Sequence, residues 1–218
     1  LKHYVQGVTI RYTLDGTEPD SLNSPKYDGK VILDRNLVMK AKAFKPGWIT
    51  SETVTKNFYK SGLKVDSIAL VTAPDPGYKA DGPKTLINAE KGELSYRNIK
   101  WLAYHGKPME AMMYFKTPQE VSSVTISSMI DISGYIMPAA SIEVWGADKS
   151  GAMKLLKKTS PPQPTMTKPG FIEGLDVKFD KATVSTLKLV VRPVTKLPSW
   201  HPGKGEPGWI FMDEVFVN

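Results

Sequence analysis

Apolar and polar residues alternate along much of this chain. Val8, Ile10 and Tyr12 fall on one face of an extended Val8–Thr13 segment, and Leu37, Met39, Ala41 and Ala43 on one face of Leu37–Phe44. A strand points successive side chains to opposite sides, so a period of two predicts half-buried β-strands. Leu14–Asp20 lies between them with Asp15-Gly16 and Pro19. These are turn formers, because glycine accepts positive φ and aspartate hydrogen-bonds its own backbone. After Lys45-Pro46-Gly47-Trp48, a last strand over Thr53–Tyr59 closes a small antiparallel module spanning residues 1–60.

Lys60-Ser61-Gly62-Leu63 reads as a short linker. Beyond it the β pattern resumes at Ser67–Thr72, Glu110–Phe115, Ser122–Ser128, Ser141–Trp145, Gly174–Phe179, Thr186–Arg192 and Gly208–Val217. The segments between are rich in Pro, Gly, Ser and Asn, and no stretch sustains a helical period beyond Lys84–Ala89. Ser160–Gly170, with four prolines, predicts an extended connection. Seven or eight strands over residues 64–218, without internal repeats, predict a jelly-roll sandwich.

Composition bounds the function. At 218 residues, 41% hydrophobic and 10% aromatic, the chain can bury real cores. No apolar run approaches the roughly 18 residues of a membrane-spanning helix, so no membrane insertion is expected. The absence of cysteine removes disulfides, thiolate zinc sites and thiol nucleophiles. It leaves the compartment open, because a domain of this size holds its core without disulfides. The chain begins Leu1-Lys2-His3-Tyr4, with neither an initiator Met nor a signal peptide, and is expected to be a piece of a longer protein.

The net charge of +7 raises a nucleic-acid reading. Only four of the 29 basic residues are Arg, the side chain suited to bidentate phosphate and base contacts. The longest basic run is Lys157-Lys158. Dispersed lysines of this kind form a solvating surface, and no nucleic-acid partner is expected.

Two resemblances sharpen the picture. Ile10-Arg-Tyr-Thr-Leu-Asp-Gly-Thr-Glu-Pro19, Ser24-Pro-Lys-Tyr27, Lys40-Ala-Lys-Ala-Phe44 and the Gly47–Ser51 turn resemble the immunoglobulin-like domain near the C-terminus of chitobiases and β-hexosaminidases. Members of that family have one or two strands ahead of the one beginning at Val8, where this chain has seven residues. An N-terminally truncated module with an exposed sheet edge is therefore expected. Residues 64–218 resemble the discoidin, or coagulation-factor type C, galactose-binding-like module that ends many bacterial β-N-acetylhexosaminidases. The matching segments are Tyr78–Gly82, Leu86–Asn88, Lys100–Tyr104, Gly134–Pro138, Ile142–Val144, Leu197–Gly205 and Gly208–Val215. Together these imply an all-β chain: an incomplete immunoglobulin-like sandwich over 1–60, then a discoidin-like jelly-roll β-sandwich over 64–218.

Catalytic constellations are lacking. Asp213-Glu214 is similar to the adjacent carboxylates of hexosaminidases, but it lies in an alternating strand that should send the two side chains to opposite faces. The preceding Gly-Gly of that motif and the barrel domain that carries it are both missing. His3, His105 and His201 have no metal-ligand spacing, and no Gly-x-Ser-x-Gly elbow occurs. The chain is expected to be non-catalytic.

Sugar sites on β-sandwiches place an aromatic ring against a pyranose beside polar hydroxyl partners. The loops of the second module offer Trp101, Tyr104, His105, Tyr135, Trp200 and His201, with Arg97, Asn98 and Lys204 as polar partners. Trp200-His201, between Pro198 and Pro202, is the sharpest candidate, because the prolines rigidify the loop. Trp101 equally suits a plug at one end of the sandwich, Trp145 and Trp209 read as core, and Trp48 reads as a plug of the first module. The discoidin resemblance further implies a structural Ca²⁺ on Asn88, Ser95 and Glu214, although Asn88-Ala89 stands where the family commonly has Asp-Gly. The overall expectation is an accessory region of an exported bacterial glycoside hydrolase, periplasmic, surface-bound or extracellular. Its expected partners are N-acetylhexosamine- or galactose-containing glycans and the catalytic domain of the parent chain. The alternative is a pair of structural spacers that bind no sugar.

Overall fold

The computed structural model describes residues 1–60 and 62–218. Ser61, in the expected linker, lies outside the described residues. The chain divides into two compact units, 1–60 and 61–218.

The first unit is a three-stranded antiparallel sheet in the order β1 (Thr9–Thr13), β2 (Leu37–Phe44), β3 (Val54–Phe58). In β2 the expected alternation is realised, with Leu37, Met39, Ala41 and Ala43 buried and the residues between them more open. The guanidinium of Arg11 on β1 donates to the carbonyl of Ser24 and so ties the β1–β2 connection to the sheet. Trp48 departs from its expected role as a plug: it is exposed on its turn, with the Lys45 ammonium 4.6 Å from the ring centre. A turn of four residues has no interior for an indole to fill, so the ring lies on the surface.

The second unit is a jelly-roll β-sandwich. Its strands, among the described residues, are β4 (Ser67–Leu70), β5 (Leu102–His105), β6 (Met109–Ile130), β7 (Ser141–Ala147), β8 (Lys154–Thr159), β9 (Phe171–Arg192) and β10 (Trp209–Val217). The antiparallel pair β6 and β9 runs the length of the unit and belongs to both layers. Its first half, around Ala111 and Leu189, pairs outward with β4 and β7, and β7 continues to β8. Its second half, around Ile126 and Leu175, pairs outward with β10, and β10 continues to β5. A register break between Tyr114 and Gln119, spanning Pro118, lets β6 pass from one layer to the other. Side chains from both layers, among them Met113, Leu189 and Ile142 from one and Tyr104, Ile126 and Ile210 from the other, form one buried core.

Four local expectations change. Glu110–Phe115 and Ser122–Ser128 are parts of the single strand β6, and Gly174–Phe179 and Thr186–Arg192 parts of β9. Leu102–His105 is a strand, although its neighbours Trp101 to Tyr104 are buried on both faces and so show no alternation. Trp145 and Trp209 are only half-buried, because Ile142, Val144, Ile210 and Met212 take the core-facing positions of their strands. The helical period at Lys84–Ala89 appears as a 3₁₀ segment over Gly82–Ile87.

Candidate functional site

The segment from Val194 to Gly208 connects β9 to β10. Its backbone closes on itself: Leu197 N donates to Glu206 O at 2.7 Å, Gly205 N to Leu197 O at 3.0 Å, and Gly208 N to Val194 O at 2.8 Å. Tight turns add His201 N to Pro198 O and Lys204 N to His201 O, both 3.0 Å.

Trp200 and His201, taken together from the sequence, are separated by this geometry. Trp200 is 37% exposed, while His201 is only 3% exposed and faces inward. The imidazole Nδ1 accepts from Gly203 N at 3.0 Å, so Nε2 carries the proton and donates to Ile132 O at 2.8 Å. His201 thus staples the loop to the β6–β7 connection and is closed to a ligand.

Tyr135 supports the same loop from the other side. It adopts φ 66°, its ring packs edge-on to His201 at 4.9 Å, and it lies so close to Gly203 that a Cβ there would sit 2.1 Å from Cε1. Glycine at 203 is therefore required by contact. His105 reaches the same loop through Nε2, 3.1 Å from Pro207 O, and stacks flat on Trp209 at 4.4 Å. Its ring is exposed, but one face is covered by the indole.

Trp101 and Tyr104 do not join this site. Trp101 is 1% exposed, and its Nε1 donates to Glu93 O at 3.0 Å and Ser95 O at 3.1 Å. Its ring lies against Gly92, where a Cβ would come within 2.6 Å of Cε2. It is the plug of its alternative reading, holding the 88–95 loop down. Tyr104 is fully buried, donates its hydroxyl to Thr72 O at 2.9 Å, and burial drives its phenol above the usual range. Being on the core-facing side of β5, it has no open ring face. Arg97 and Asn98 belong to the loop capped by Trp101; Asn98 Oδ1 accepts from Lys100 N at 2.9 Å, and Arg97 lies near the Tyr96 ring. Lys204, with Ser199 and Lys196, is exposed on the Trp200 loop.

What this rim can do chemically follows from those placements. An indole held on a closed backbone, beside hydroxyl and ammonium donors, can stack on an apolar ring face and bond its polar edge.

A second constellation escaped the sequence. β10 slips its register between Met212 and Glu214, where the partner runs from Ser128 to Ser127. Asp213 is the extra residue. The bulge brings both carboxyls against the 88–92 loop, contrary to the alternation that expected opposite faces. Asp213 is 0% exposed; it takes the Lys91 ammonium at 2.5 Å on Oδ1 and Gly92 N at 2.6 Å on Oδ2. The same ammonium bonds Ser127 Oγ. Burial lowers the Lys91 pKa against the pull of Asp213 and Glu214. Glu214 is buried and pushed up to about 7, chiefly by desolvation, with the backbone N–H of Ala89 opposing the rise. Consecutive acidic residues in an otherwise apolar strand were the available signal, since a buried strand has no solvated face to take both.

The residues implied for Ca²⁺ do not fit it. Asn88 is exposed and its Oδ1 accepts from Glu90 N at 2.9 Å. Ser95 is exposed, its Oγ accepting from Arg97 N and its carbonyl from Trp101. Of the three, only Glu214 carries an oxygen, Oε2, that is buried without a partner. A calcium ion takes about six to eight oxygens. Among the described residues, no group of three or more His, Asp or Glu is placed to hold a metal. Ala89 nevertheless keeps the left-handed turn, at φ 61°, that glycine would take without strain.

The family model described as Fn3 associated matches residues 1–58. No curated protein matches. Among solved structures, the chain is similar to the family 32 carbohydrate-binding module of NanJ from Clostridium perfringens in complex with galactose, at 14% identity and TM-score 0.44, covering 69% of this chain and 91% of that one. It is also similar to a Clostridium perfringens module, CpGH89CBM32-5, in complex with GalNAc-β-1,3-galactose, at 13% identity and TM-score 0.43, covering 69% and 93%. A Ruminococcus gnavus GH29 fucosidase in complex with fucose matches at 14% identity and TM-score 0.43, covering 69% of this chain, which spans only 24% of the fucosidase.

Proposed function

We propose that this chain is a non-catalytic, carbohydrate-binding accessory region of an exported glycoside hydrolase of the chitobiase or β-hexosaminidase type. In this reading, residues 64–218 take N-acetylhexosamine- or galactose-containing glycans and hold them near a catalytic domain of the parent chain. The observation that carries it is Trp200, 37% exposed on a loop closed by its own backbone and pinned by buried His201. An exposed indole offers a flat face for stacking on a pyranose, and a loop already ordered loses little entropy on binding. Lys204 and Ser199 lie exposed on the same loop as hydroxyl partners, and Tyr135 and His201 act as its supports. The sealed Asp213-Glu214 pair offers no open acid and base for glycoside hydrolysis.

The test is calorimetric titration with N-acetylglucosamine and galactose oligosaccharides. The wild type should bind, and Trp200→Ala should lose about tenfold or more in affinity, the equivalent of roughly 1.4 kcal/mol of stacking, with Tm unchanged. No binding to any of these glycans, or equal binding by Trp200→Ala, would overturn it.

Leu22, Trp48 and Ile49, exposed on the turns of the first unit, favour a second reading for that unit alone: a spacer that packs on the catalytic domain. Co-purification of that domain, expressed separately from the same gene, with the wild type but not with Trp48→Ser/Ile49→Ser would support it.

A further inference from the structure

We propose that the Lys91 ammonium is the built-in cation of the Asp213–Glu214 bulge and stands in for a divalent ion, so that the second unit folds and keeps its loops without metal.

The bulge drives two carboxyl groups into the interior against one loop. Two such groups require a compensating positive charge or a proton between them. The loop supplies the charge from within the chain. The Lys91 ammonium lies 2.5 Å from Asp213 Oδ1 and against Ser127 Oγ on β6, while Gly92 N satisfies Oδ2 at 2.6 Å. Among the groups facing Lys91 are Asp213 and Glu214 from β10 and Ser127 from β6. Gly92 is held in place by the Trp101 ring, and Trp101 by Glu93 O and Ser95 O. The ammonium therefore sits in a loop whose course is determined by packing, as a preformed site for a cation would be. With a lysine there, the oxygens expected to bind an ion are free to serve the loop itself, as Asn88 and Ser95 do.

The test uses the full chain and calorimetric unfolding, reading the transition of the second unit. Millimolar CaCl₂ or EDTA should leave the wild-type Tm unchanged. Lys91→Met should lower Tm by about 10 °C, as expected when a buried carboxylate loses its partner. Lys91→Met/Asp213→Asn should recover most of that loss, because the charge that needed compensation is gone. A rise in wild-type Tm with Ca²⁺, an unchanged Tm in Lys91→Met, or an equal loss from Lys91→Met in the Asp213→Asn background would each overturn the proposal. If Lys91→Met fails to fold, the double variant and the wild-type Ca²⁺ titration decide it: a folded double variant and no Ca²⁺ response sustain it, and the reverse of either refutes it.

Discussion

Replacing His201 with leucine removes the imidazole while keeping an apolar side chain of similar bulk, so its effect isolates two hydrogen bonds. One runs from Nε2 to Ile132 O at 2.8 Å, but that carbonyl also accepts from Tyr135 N at 3.0 Å and stays satisfied. Its loss costs about 1 kcal/mol, the usual net worth of such a bond. The other is accepted by Nδ1 from Gly203 N at 3.0 Å. Gly203 is buried against the Tyr135 ring, so its N–H is left without a partner, at about 1–3 kcal/mol. The sum, about 3 kcal/mol, corresponds to a fall in Tm of roughly 6–12 °C for a unit of this size. Calorimetric unfolding measures the fall, and glycan titration of the same variant measures what the staple does for Trp200. Affinity should drop as the loop loses order, and part of it should return at low temperature, where the loop re-forms. Trp200→Ala should show the converse, with affinity lost and Tm retained. His201→Leu with an unchanged Tm and abolished binding would refute the reasoning, because it would make His201 a ligand contact.

Two further outcomes follow from other parts of the sandwich. Trp101→Ala should destabilise the second unit by about 3–5 kcal/mol, since the cavity lies under Gly92 and two carbonyl acceptors lose their donor, with no direct effect on glycan contact; an exposed indole would cost far less, and urea unfolding distinguishes the two. Glu214 holds its proton up to about pH 7 in the folded chain, whereas the unfolded carboxyl releases it near 4.5. The folded state therefore binds more protons in this window, and stability falls as pH rises from about 4.5 to 7, by about 3 kcal/mol from this group. Glu214→Gln should remove that component, so the wild-type and variant profiles converge or cross over the window; parallel profiles of Tm against pH would contradict the burial argument.

The rim and the bulge show how far local pattern reaches. Alternation alone placed β2, both halves of β6 and β9, and most of β10, because a period of two is a property of the strand itself and needs no knowledge of its neighbours. It also located the Trp200 loop, since prolines and glycines between strands constrain the backbone wherever they occur. Pattern failed at β5, whose four residues are too few to establish a period. It reads as a loop, and two of the expected sugar contacts went with it into the interior.

What the sequence determined by itself was the all-β class, the two modules, the lack of cysteine chemistry and the residue types available at the loops. What tertiary structure decided was which side of each residue is open. Trp200 and His201 are neighbours in sequence with opposite fates, and the difference is made by Ile132 and Gly203, the one 69 residues away and the other two. Asp213 and Glu214 should have diverged by strand period, but one inserted residue in the pairing with β6 turned both toward Lys91, 122 residues from Asp213. Burial, charge compensation and register are sums over partners distant in the chain, so no local pattern carries them.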